Sequence, residues 1–100
     1  MSEFKKKYVY LIEEELRNDA NREENRKYVM RAYTSLKKAI EYLEYWAEIE
    51  RGTMNLRGID ENDPCYWVNY VERKDKSHNV LFVRNGVELK TWSIRKELLF

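Results

Sequence analysis

The side chains that could do chemistry are few and poorly grouped for it. His78 is the single histidine of the 100-residue chain. It lies in KDKSHN, a polar run that reads as a turn, so a Ser-His-Asp or Cys-His arrangement would have to be assembled on a loop. Cys65 is also alone. It can make no intrachain disulfide, CxxC metal knuckle or redox dithiol, and no Lys, Arg or helix N-terminus is placed by sequence to make it a thiolate. It is expected to open a strand and pack there as a small hydrophobe.

Carboxylates are abundant at Glu13, Glu14, Glu15, Glu23, Glu24, Glu41, Glu44 and Glu48, so an acid and base pair can always be drawn among them and the pattern selects none. Glu41, Glu44 and Glu48 fall at helical spacing opposite an apolar stripe, as on a solvated face. Asp60, Glu61 and Asp63 could attract a cation. IDENDP nevertheless lacks the alternating ligands, central glycine and terminal glutamate of a calcium loop. With three glycines and neither a GxGxxG nor a P-loop, a phosphate cradle is hard to build. The expectation is no catalytic residue, no cofactor, no metal ligand, and hence no enzyme.

The elements that must position any binding residues are those of one small domain, since 100 residues and 12.3 kDa bury a single core. Nineteen basic against eighteen acidic residues leave a formal charge of +1, with no global field to hold a polyanion. A hydrophobic fraction of 43% argues for folding rather than disorder. The apolar run Tyr8 to Ile12 is stopped by Glu13, too early for a signal sequence, and no stretch approaches a membrane span. A cytoplasmic protein without a membrane partner is expected.

The clearest element is an amphipathic helix, SLKKAIEYLEYWAEIER, with Leu36, Ala39, Ile40, Leu43, Trp46 and Ala47 on one face. Ser35 or Thr34 can cap it, and Gly52 stands where a C′ residue should. Before it, KYVYLI and RKYVMRAYT are rich in Tyr, Val and Thr and flank an Asn-rich turn. They predict strands at 6–13 and 27–33 forming a hairpin. The competing reading is an N-terminal helical hairpin, because Val29, Ala32, Leu36, Ala39, Leu43 and Trp46 also fit a repeat that would carry one helix back to Asp19. The last third, CYWVNYVER, VLFVR and VELKTW with Asn85-Gly86 between the last two, predicts a three-stranded meander. Together these elements predict an α+β fold, a mostly antiparallel sheet packed on one helix in the order β-β-α-β-β-β.

Residues 6–47, with Ala32-Tyr33-Thr34-Ser35-Leu36-Lys37-Lys38-Ala39 at their heart, resemble small uncharacterised domains of phage and bacterial genomes. In those a hairpin runs into a helix through a motif like VYSSxEKAxxxL. Lys37 stands where an acid is often found. The resemblance implies strand-strand-helix and no known activity.

Eight tyrosines and three tryptophans exceed what so small a core requires. If Asn85-Gly86 is a two-residue loop, Phe82 faces Leu89 and both oppose Leu36, Ile40, Leu43 and Ala47 of the helix. Carrying the pairing across a turn near Lys76 adds Tyr66, Val68 and Tyr70 to that face. The other face then gathers Trp67, Val71, Leu81, Val83, Lys90 and Trp92, a candidate interaction surface, because one helix covers one side only. Leu98, Leu99 and Phe100 could cover it internally. Otherwise it would take a protein partner or a second copy. The further alternative is single-stranded nucleic acid, stacked on Trp67 and Trp92 with Arg73, Arg84 and Lys90 on phosphates. The leading expectation is a protein-interaction module, possible kin of phage-type accessory or inhibitory factors by the resemblance alone.

Overall fold

The computed structural model describes residues 6–60, 62–72 and 79–99. Five strands, β1 (Tyr8–Asn18), β2 (Arg26–Tyr33), β3 (Tyr66–Val71), β4 (Val80–Asn85) and β5 (Glu88–Leu98), form one antiparallel sheet in the order β2-β1-β5-β4-β3. A single helix, α1 (Leu36–Leu56), leads from the β2 edge to the β3 edge and covers one face. The α+β class and the order β-β-α-β-β-β are as the sequence predicts. Among the described residues no helix is long and apolar enough to cross a membrane.

The helical alternative for residues 19–33 fails because the Asn-rich run builds its own turn. Asn18 Oδ1 accepts the N–H groups of Ala20 and Asn21, Asn25 Oδ1 accepts that of Asn18, and Asn21 caps a single 3-10 turn at Arg22–Glu24. Short amide side chains that satisfy nearby backbone outcompete a helix here. They also hold β1 in the sheet to Asn18, five residues past the expected end at 13.

Ser35 caps α1, its hydroxyl accepting from Lys38 N–H at 3.4 Å. The helix runs through Gly52, the expected terminus, and stops at Gly58 instead. With φ of +69°, Gly58 lets its own N–H reach Asn55 O at 3.0 Å and that of Ile59 reach Met54 O at 3.1 Å, the paired bonds of a Schellman motif. A glycine ends a helix where the chain can turn left-handed and the following residue can pack. Ile59, beside Met54, supplies that second condition.

The core consists of Ala39, Leu43 and Ala47 of α1 against Ile12, Leu81, Val83, Trp92 and Ile94. Two small alanines let the helix approach the sheet closely, with Leu36 and Ile40 packed at its margin. Phe82 and Leu89, expected beneath the helix, lie on the opposite face. The helix packs instead on the side of Leu81, Val83 and Trp92. The β4–β5 turn is Gly86-Val87, closing Asn85↔Glu88, with positive φ at Gly86 and, among the described residues, at no non-glycine position. A turn with glycine first needs no left-handed Asn85. This moves the pairing by two residues, Phe82 opposite Thr91 rather than Leu89, and keeps faces intact.

The β3–β4 pairing differs from expectation by one residue, Val68↔Val83 and Tyr70↔Leu81. A shift of one pairs each β3 side chain with the other side of β4, so Tyr66, Val68 and Tyr70 keep their expected place under the helix but share it with Leu81 and Val83 instead of Phe82, and Trp67, Asn69 and Val71 lie on the opposite side. Leu98 and Leu99 do not fold over the sheet. β5 stays extended to Leu98, opposite Tyr8, and both leucines are half exposed.

Candidate interaction surfaces of the sheet

The six residues expected to share one exposed face are divided by that register. Leu81, Val83 and Trp92 are buried under α1, and Lys90, opposite Val83 and Leu16, projects to the same side. Trp67 and Val71 lie on the helix-free face. His78 and Glu61 are outside the described residues, as are Arg73 and Phe100. Cys65 is exposed rather than packed, because its carbonyl is held by Gly86 N–H and its own N–H by Asp63 Oδ1 at the mouth of β3.

Ladder partners order the helix-free face into rows. Trp67, Arg84, Leu89 and Arg17 cross the sheet in one row, and Asn69, Phe82, Thr91 and Glu15 in the next. Val71, Val80, Ser93 and Glu13 form a third, followed by Arg95 and Leu11. The β3–β4 half is therefore apolar and aromatic, while the β1–β5 half is charged. No described element lies over either half. Phe82, Val80 and Leu89 belong to this surface, and of these Phe82 and Leu89 are the two that the sequence places beneath the helix. The preference for glycine at the first turn position was the signal that could have set the β4–β5 register, but β3 had no comparable marker.

Charges on this side of the sheet are largely spent on one another. Arg84 is 2.6 Å from Asp19, and Arg95 is 3.0 Å from Glu13 and 3.1 Å from Glu97. Hydrogen bonding from Arg84 holds the Asp19 carboxyl below the usual carboxylate value against an opposing cost of desolvation, helped by the charges of Arg84, Arg17 and Arg22.

Glu14, the neighbour of Glu13, projects the other way and is 7% exposed. Its Oε2 accepts from Tyr28 O–H at 2.8 Å and from Trp92 Nε1 at 3.1 Å. The hydrogen bond to Glu14 raises the Tyr28 phenol above its ordinary value, and desolvation adds to it. The two buried carboxylates thus stand on opposite faces and form no acid and base pair. Glu14 ties β1 to β2 and β5 under the helix, a structural task for a residue that sequence spacing could not single out. Among the described residues no three His, Cys, Asp or Glu side chains are gathered as a metal site.

The two sheet edges also differ. β2 is blunted by Arg26, Lys27 and Arg31 and by a bulge at Met30, where Ile12 pairs Arg31 and Glu13 pairs Val29. β3, reading YWVNYV, carries neither charge nor bulge. Beside it a groove of about 320 Å³ runs between β3 and the end of α1, lined by Arg51, Met54, Asn55, Ile59, Tyr66 and Val68 among others. Comparison with protein-family models, curated proteins and solved structures returns no match.

Proposed function

We propose that this chain is a small, non-enzymatic protein-interaction module whose helix-free sheet face, centred on Trp67, Val71, Val80, Phe82 and Leu89, meets another protein. The observation that carries the reading is an aromatic and apolar half-sheet that, among the described residues, no element covers, the one described α-helix being on the other side. Aromatic anchors ringed by polar groups are the usual makeup of a binding hot spot.

The same geometry weighs against single-stranded nucleic acid. A stacking platform needs free cations beside its aromatics, whereas Arg84 and Arg95 are already paired with acids, and Trp92 and Lys90 have left this face. Capture of partners from the source cells on immobilised protein, with Trp67→Ala and Phe82→Ala as comparison baits, tests the reading. A partner identified by mass should bind roughly thirtyfold more weakly to either variant, the equivalent of about 2 kcal/mol, with folding intact. Oligonucleotide binding that falls steeply between low and physiological salt would favour the nucleic-acid alternative instead.

A further inference from the structure

The β3 edge and its adjoining groove combine three properties found together nowhere else on the described surface. The first is backbone available for pairing. Gly86 N–H donates to Cys65 O at 2.7 Å, and the alternation of an antiparallel ladder then directs Trp67, Asn69 and Val71 toward β4 and turns the N–H and C=O groups of Val68 and Tyr70 outward. Consistent with this phase, Tyr66 N–H points away from β4 and donates to Asp63 O.

The second is a recess for a side chain, formed by Met54, Ile59, Tyr66 and Val68 where the end of α1 passes the strand. The third is uncommitted positive charge. Arg51 lines the groove, and Arg57 reaches over the Tyr66 ring at 6.0 Å from its centroid, donating only to Asn85 Oδ1 at 3.4 Å. Neither guanidinium has a carboxylate within ion-pair distance among the described residues, whereas Arg84 and Arg95 do. Asp60 and Asp63, in the loop that follows the helix, accept local turn bonds from Asn62 N–H and Cys65 N–H. Among the described residues, the far end of β3 is acidic. Burial pushes the Tyr70 phenol up, the Asn79 hydrogen bond draws it back, and the nearby Glu44 and Glu72 carboxylates raise it again.

We propose that the β3 edge takes an extended peptide segment of a partner as a sixth strand, an apolar side chain of the peptide filling the groove and an acidic residue or C-terminal carboxylate meeting Arg51 and Arg57. Strand addition draws affinity from the backbone and selectivity from such alternate pockets. The Glu44 and Glu72 end disfavours a peptide that is acidic throughout, so the acidic group belongs at the Tyr66 end alone. This rests on the interaction reading above but on a different surface, so the two can fail separately.

Selection of random dodecapeptides displayed against the immobilised protein, followed by anisotropy titration of the winning peptides, tests it. Enriched peptides should pair an apolar residue with an acid near one end. Arg51→Glu combined with Arg57→Glu, both exposed positions, should weaken them about tenfold or more, while Phe82→Ala leaves them unchanged. Binding should slow hydrogen exchange at the Val68 and Tyr70 amides, which face outward in the free protein. Absence of enrichment, peptides without an acidic preference, or affinity indifferent to the charge reversal would overturn the proposal. So would a dimer in sedimentation whose Val68 and Tyr70 amides are already protected, since a second copy would then hold the edge.

Discussion

The two faces of the sheet are made by the same five strands, yet one has become a core and the other a surface. Under α1, Ile12, Leu81 and Leu43 are fully buried, and the one carboxylate admitted there, Glu14, has both a phenol and an indole as donors. On the helix-free side Phe82, Leu89, Val71 and Trp67 are only partly covered by neighbouring strands, and the acids and arginines there pair side by side. Across β3 and β4 the two faces are both apolar, and there the difference lies in which side the helix crosses. Hydrophobicity that buries one face as core leaves part of the other uncovered.

The strongest way to break this contrast is to compare the two tryptophans. Trp92→Ala, in the core, should cost about 3–5 kcal/mol in urea unfolding, whereas Trp67→Ala should stay within about 1 kcal/mol. Equal losses would mean that the helix-free face is buried in solution.

A smaller effect separates the charged groups. Glu14→Ala strands the buried Trp92 N–H and should cost about 1–3 kcal/mol with little response to salt. Arg95→Ala, removing a half-exposed partner of Glu13 and Glu97, should cost about 1 kcal/mol or less and progressively less as salt rises.

Within α1, Gly52 has open space where a Cβ would go and no positive φ. Gly52→Ala should therefore stabilise the protein by about 0.5–1 kcal/mol, and a calorimetric midpoint unchanged or lowered would contradict the uninterrupted helix.

The least effect is expected on the open side at acid pH. Asp19 titrates below 3.8, its ordinary value, because of Arg84. Its contribution is thus complete above the unfolded carboxyl's pKa and is lost as pH falls through the lower folded value. A carbon-detected titration should return Asp19 to the ordinary value in Arg84→Ala. No change would mean that the ion pair is not populated.

Local signals were legible wherever a residue's own backbone decided the outcome. Ser35 as a cap, the Asn-rich turn between the first two strands and glycine in the β4–β5 turn each act within a few residues. The apolar stripe Ala39, Leu43 and Ala47 was readable as the buried side of α1 for the same reason. Gly52 misled because a glycine tolerates both a helix interior and a helix end. What separates it from Gly58 is the packing partner that follows, Ile59 against Met54.

The composition and periodicity of this chain determined that it would be one helix on an antiparallel sheet, since those patterns are set by side-chain spacing along a single segment. They could not determine which faces of β3 and β4 meet. A strand apolar on both sides is indifferent to a slip of one residue, and that slip exchanges Trp67 and Val71 for Tyr66, Val68 and Tyr70. Tertiary structure alone resolved it, because only the approach of α1 to Leu81 and Val83 distinguishes the side to be buried from the side left uncovered.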